Sequence, residues 1–147
     1  MITVCNIVEA ELLAPQYDTL ITAGPHQSEV RWHHRHHIAR HFIDATTGPL
    51  APSRSAIATL LRFPRMRPVL VHCHKGESRS TAVAIGIAIA DGCAPLDAWA
   101  ALEAQHPAGR AFTPNRLILA HVEDVLGVTG LVAHAERHER IVTSTAW

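Results

Sequence analysis

Along the chain, short β-prone apolar runs alternate with stretches whose apolar residues recur every three or four positions, and most changes of pattern fall at proline or glycine. Ile2 to Val4 reads as a short strand and Ile7 to Leu13 as a first helix stopped at Pro15. Asp18 to Thr22 reads as a buried strand closed by Gly24-Pro25. After a polar turn, Ile38 to Ile43 reads as another, with Asp44 at its carboxyl end. The Gly48-Pro49 and Ala51-Pro52 pairs make a loop, and Ser53 caps a helix running to about Arg62. Pro64 and Pro68 frame the turn into an apolar run that ends at His72 and Cys73. From Ser78 to Ala90 the chain is apolar nearly all round, the pattern of a buried central helix, with Gly92 of Asp91-Gly92 as its C-cap. Pro95 opens a helix through Ala104, and residues 106–109 form a loop. Thr113 then reads as an N-cap with Pro114 at the first helical position of a helix that runs to Leu126 and stops at Gly127. A short helix follows Thr129, and residues after Ile141 form a weakly specified tail.

This alternation predicts an α/β fold with a mainly parallel central sheet of about four or five strands flanked by helices. A chain of 147 residues suits one domain, residues 1–147, able to bury a core without staples. In such sheets ligands bind beyond the carboxyl ends of the strands, where both Cys73 and Asp44 fall.

Composition narrows the picture. Apolar residues make up 48% and aromatics 5%, so the core is expected from Ala, Val, Ile and Leu. Three cysteines, Cys5, Cys73 and Cys93, are an odd number at unrelated spacings, which disfavours a disulfide framework and points to a reducing, cytoplasmic setting. Glu9 and Glu11 interrupt the N-terminal apolar residues and no basic region precedes them, unlike a signal peptide. The longest apolar run, Ala82 to Ala90, is too short for a bilayer, so no membrane partner is expected. Charge is balanced overall but unevenly placed. From Val30 through Gly76 the only acidic residue is Asp44, against Arg31, Arg35, Arg40, Arg54, Arg62, Arg65, Arg67 and Lys75. Such asymmetry can draw anions to a cleft, while Arg62, Arg65 and Arg67 read as a solvated face.

The chemistry concentrates in residues 70–81. A strand ends at His72 and Cys73, six residues turn through Gly76, and a helix starts near Ser78. Inward-pointing loop N–H groups and a helix N-terminus make a cradle for an anion such as phosphate. A thiol beside a helix N-terminus and an arginine has its thiolate stabilised, making Cys73 a candidate nucleophile. A buried strand-end cysteine is the bland alternative, but it leaves His74, Lys75, Glu77 and Arg79 crowded into one turn without purpose. Asp44 is the sole carboxylate between Glu29 and Glu77, hence the candidate proton donor for a leaving oxygen; a turn aspartate is its alternative.

Cys73, five residues, Arg79 and Ser80, with His72 before and Gly76 within, resemble the signature loop of the cysteine-dependent protein tyrosine phosphatases. The resemblance covers roughly residues 15–127 and is to the compact, dual-specificity-like bacterial type. It implies a protein tyrosine phosphatase-like fold, with catalytic Cys73, Arg79, Asp44 and Ser80. The phosphate-binding loop would be His74, Lys75, Gly76, Glu77, Ser78 and Arg79. His72 would position Cys73 from behind, close to the role of any satisfied core histidine. Phe112-Thr113-Pro114-Asn115 looks like the family's Pro-Asn helix start, by which Asn115 braces the signature loop; a mere first-turn residue is the other reading. No cofactor or metal is implied. The partner implied is a phosphorylated protein or small phosphomonoester, with nucleic acid not expected. Three features depart from the family: no Trp-Pro-Asp triplet, opposite charges at Lys75 and Glu77, and the His-rich run Trp32 to His37. Glu77 is expected to face outward, toward an arginine.

The function expected is hydrolysis of phosphate monoesters, first phosphotyrosine or dual-specificity protein substrates, through a cysteinyl-phosphate. Other readings are a phosphatase of polyanions such as inositol phosphates or RNA 5′-phosphates, a non-catalytic phosphate-binding module, and a sulfur-transfer loop. Metal binding by His33, His34, His36, His37 and His41 is a further one; alternate residues of a strand share a face, so His34 and His36 could ligate together.

Overall fold

The computed structural model describes residues 1–30 and 33–144. Among them, strands β1 (Ile2–Cys5), β2 (Thr19–Gly24), β3 (His37–His41) and β4 (Val69–His72) pair in parallel in the order β1-β4-β2-β3. The helices are α1 (Ile7–Leu13), α2 (Arg54–Arg62), α3 (Arg79–Ala90), α4 (Pro95–Gln105), α5 (Arg116–Leu126) and α6 (Leu131–Ser144). Because every strand runs the same way, Cys5, Gly24, His41 and His72 all end at one edge of the sheet, and the loops leaving them meet there.

Register sorts the side chains by face, since alternate strand residues point to opposite sides. Ile21, Val69 and Val71 join the large core with α2, α3, α4 and α5. Cys5, Leu20 and Leu70 face the other way and pack on Ala10 of α1 and Ala14. Helix α3 is buried from Ser80 to Ile89, which explains why it is apolar all round. A Cβ added at Gly86 would lie 2.8 Å from both Leu61 Cδ2 and Val122 Cγ2, so glycine lets α2 and α5 close on α3. Helix α1 starts in a capping box: Asn6 Oδ1 accepts from Glu9 N at 2.8 Å and Glu9 Oε1 accepts from Asn6 N at 3.0 Å. Ser53 caps α2 as expected, its Oγ accepting from Ala56 N.

Four expectations are corrected. β3 ends at His41 rather than Ile43, because Phe42 turns its ring into the core, leaving Asp44 three residues into a loop. That loop is pinned by Ile43 N–H to the Leu50 carbonyl. The N-cap of α5 is Asn115, not Thr113: Asn115 Oδ1 accepts from Ile118 N, while Thr113 N donates to the Glu77 carbonyl. α6 is a helix of 14 residues instead of a short one and carries the backbone past Ile141 to Ser144. Arg65 is not simply solvated: its side chain is 12% exposed, paired with Asp91 and bonded to the Leu61 and Phe63 carbonyls.

Arg67 also reaches Asp91, Arg35 meets Asp18 and Arg54 meets Asp124, so carboxylates from elsewhere in the chain offset much of the basic segment. Arg31 and Trp32 lie outside the described residues, as do residues 145–147. No helix among the described residues is long and apolar enough to cross a membrane.

Candidate active site

Cys73 leaves the end of β4 with 2% of its surface exposed, on the floor of a cleft of about 640 Å³. Its sulfur is held by polar groups rather than packed in hydrocarbon: Gly76 N–H donates to Sγ at 3.2 Å, and Ser80 Oγ lies 3.0 Å away. The same cleft is lined by Arg79, Asp44, His74, Lys75, Glu77, Ser78 and Asn115.

The loop's shape is set by its carbonyls. His74 O accepts from Ile7 N, Glu77 O from Thr113 N and Ser78 O from Asn115 N. In a planar trans peptide the next residue's N–H lies opposite the carbonyl, so these bonds turn the N–H groups of Lys75, Ser78 and Arg79 back toward the loop interior. Gly76 permits the turn, with φ +72; a Cβ there would sit 2.8 Å from the carbonyl carbon of Cys5, so the β1–α1 corner presses on the loop from behind. Ser78 precedes α3 without capping it by its side chain, which leaves first-turn N–H groups available to an anion.

Arg79 Nη1 donates to the Phe42 carbonyl at 2.7 Å, steadying the guanidinium at the cleft wall. Gly24 makes that position possible: a Cβ on it would lie 2.2 Å from Nη1. Sequence reading saw Gly24 only as a strand stop; its proximity to Arg79 is a tertiary fact. Asp44 Oδ1 accepts from Ser78 Oγ at 2.8 Å and from Asn115 Nδ2 at 2.9 Å, which holds the carboxyl at the rim. Both bonds use Oδ1 rather than Oδ2. Asn115 thus braces two loops, the signature loop through its main chain and the Asp44 loop through its side chain, which also donates to Ala45 O. Only the first of these roles was anticipated.

Glu77 lines the cleft, and its carboxylate accepts from the Ala111 N–H at 3.1 Å, with the expected arginine, Arg110, close enough to feel its charge. Arg110 instead pairs with Glu9 at 2.8 Å, tying the loop before α5 to the start of α1. That hydrogen bond, helped by Asn6 N–H, holds the Glu9 carboxyl below its usual range. His74 reaches Glu29 at 3.4 Å, and Arg116 reaches Glu139 at 3.6 Å across the cleft mouth. His72, fully buried behind the loop, has its pKa lowered to about 4, chiefly by desolvation. Burial pushes the Cys5 thiol up to about 12, so this second buried cysteine stays protonated.

The His-rich run does not gather. His34 Nε2 meets the Tyr17 carbonyl, His36 Nε2 the Pro64 carbonyl, His37 Nε2 the Thr22 hydroxyl and His41 Nδ1 the Gly24 carbonyl. His34 and His36 therefore reach separate acceptors, and no group of three or more metal-ligating side chains forms among the described residues.

No family model matches the sequence, and no curated protein matches it. Solved structures do. The crystal structure of Tk-PTP in the active form aligns at TM-score 0.59 and 18% identity over 85% of this chain and 88% of that one. A human tyrosine phosphatase-like serine/threonine/tyrosine-interacting protein aligns at 0.54 and 18%, covering 82% and 83%. PTPMT1 in complex with PI(5)P aligns at 0.52 and 14%, covering 91% and 90%. With its four-stranded parallel sheet and flanking helices, the chain has the protein tyrosine phosphatase-like fold.

Proposed function

We propose that the chain is a cysteine-dependent phosphatase of phosphate monoesters. The observation that carries this reading is the Cys73 sulfur on the cleft floor, met by Gly76 N–H and Ser80 Oγ, with Arg79 on the wall and Asp44 at the rim. Thiolate Cys73 attacks phosphorus, the ester P–O bond breaks and Asp44 gives its proton to the departing oxygen. Arg79 offers a planar fork to two phosphoryl oxygens, and the loop N–H groups hold the remaining charge. Water then attacks the cysteinyl-phosphate, Asp44 takes its proton, and the S–P bond breaks with Ser80 donating to the leaving sulfur.

The motif favours phosphotyrosine-like or dual-specificity protein substrates. A second reading, a polar non-protein phosphomonoester such as an inositol phosphate, is supported by the cleft lining. Among the described residues that lining is mostly charged and polar, with Lys75 and Arg116 at hand and no Phe, Tyr or Trp ring to sandwich a phenyl group.

Aryl, phosphopeptide and inositol phosphates tested beside Cys73→Ser decide the matter. The expected outcome is loss of turnover by a factor of about 10³ or more with retained binding of inorganic phosphate. Turnover surviving in the Cys73→Ser protein overturns the nucleophile assignment, and turnover of inositol phosphates alone selects the second substrate class.

A further inference from the structure

One ring of the His-rich run lies inside the site's support. His37 Nε2 is 2.7 Å from the Thr22 hydroxyl, and the same hydroxyl is 2.7 Å from His72 Nε2. Register accounts for the meeting: Thr22 pairs directly with His72, and His37 pairs with Leu20, two positions back on the same face. Thr22 and His72 are fully buried, and His72 Nδ1 lies 3.3 Å from the Cys73 carbonyl.

The direction of each bond follows from what each group can donate. A carbonyl only accepts, so His72 carries its proton on Nδ1. Burial keeps that imidazole neutral, which leaves Nε2 as an acceptor for the Thr22 O–H. The hydroxyl has one proton, so toward His37 it accepts, and His37 Nε2 donates. His37 is itself held toward the neutral form by desolvation and by the charge of His34, and the charges of His37 and His74 act on His72 in the same direction.

We infer that Thr22 and His37 are positioning residues for the nucleophile, forming a one-way chain from His37 through Thr22 and His72 to the Cys73 carbonyl. The chain fixes the main chain at the end of β4, and with it the direction in which Cys73 presents sulfur to Gly76 N–H and Ser80 Oγ. Aligned hydrogen bonds of this kind polarise and strengthen one another in a dry interior. The Thr22 proton thus favours the His72 tautomer that donates to the Cys73 carbonyl, and its loss removes that preference. The inference rests on the phosphatase reading for its kinetic consequence, but not for its geometry.

Long-range ¹H–¹⁵N spectra of the full chain at neutral pH test the geometry directly. Protonation of His72 at Nδ1 and of His37 at Nε2 is expected; His72 protonated at Nε2 overturns the chain. Thr22→Val, nearly the same shape, is expected to lower kcat about tenfold with KM within about threefold, and Thr22→Ser to restore most of the loss. Wild-type kcat in Thr22→Val, or no restoration by serine, overturns the positioning role. Should Thr22→Val not fold, His37→Phe against His37→Gln, whose amide can still donate, makes the same comparison at a half-buried edge position. If the unmutated chain hydrolyses no phosphomonoester, the function reading fails while the rate of Cys73 alkylation by iodoacetamide still judges the chain. That rate is then expected to change about fivefold in Thr22→Val and return in Thr22→Ser, and an unchanged rate overturns the inference.

Discussion

Gly24 ends β2 with φ +111, a backbone that side chains rarely adopt, and the space its missing Cβ leaves is filled by Arg79. Gly24→Ala therefore adds backbone strain of about 1–3 kcal/mol and drives the guanidinium from the cleft wall. Gly48 separates the two effects: it has φ +97, but nothing lies within 4 Å of an added Cβ. Titration calorimetry with inorganic phosphate is expected to show at least about tenfold weaker binding for Gly24→Ala, the scale of one lost charge-assisted hydrogen bond, and unchanged binding for Gly48→Ala. Equal affinities in the two variants would separate Gly24 from the function of Arg79. At this scale Cys73 and Arg79 were legible, because spacing and residue type alone define a thiol and a guanidinium six apart. Gly24 was not, because glycine at a strand end looks the same whether or not an arginine packs on it.

Among the elements, α5 links its own start to both loops of the cleft through Asn115. Asn115→Asp separates capping from bracing. Aspartate caps as well as asparagine, so the bond to Ile118 N–H survives, but a carboxylate cannot donate to Asp44 Oδ1 and repels it. The melting temperature is expected to change little, by the equivalent of about 1 kcal/mol or less, while turnover falls most for esters with poor leaving groups. Uniform loss across leaving groups would detach Asn115 from the acid role proposed for Asp44. The sequence showed that a helix begins near Thr113-Pro114-Asn115 but misplaced its cap. Thr and Asn both suit an N-cap, and the choice was made elsewhere, by Glu77 O claiming Thr113 N–H and Asp44 claiming the Asn115 amide.

For the whole molecule, the buried histidines make stability depend on pH. His72 and His37 both titrate near 4 in the folded chain, below the ordinary 6.5. Between those values the unfolded chain binds more protons, so their contribution is complete above about 6.5 and is lost as pH falls through about 4. His72 alone accounts for a swing on the order of 3 kcal/mol. The lowered Glu9 carboxyl acts in the same direction at lower pH. Urea unfolding at pH 7.5, 6 and 4.5 is expected to give steadily lower midpoints, with a shallower decline in His72→Asn; a flat profile would contradict neutral burial. The His-rich run was visible at once in the sequence, but its dispersal to the Tyr17, Pro64 and Gly24 carbonyls and the Thr22 hydroxyl depends on where β3 lies beside β2.

The sequence by itself determined the alternation of strands and helices, the buried α3 and the placing of Cys73 and Arg79 on one turn, because periodicity, capping and short spacings are local and survive without partners. Only the tertiary structure decided what stands around that turn. Cys5 and Asn6 behind it, Gly24 under the arginine, Asn115 between two loops and Thr22 between two histidines come from segments tens of residues apart, joined by the parallel register that brings every strand end to one edge.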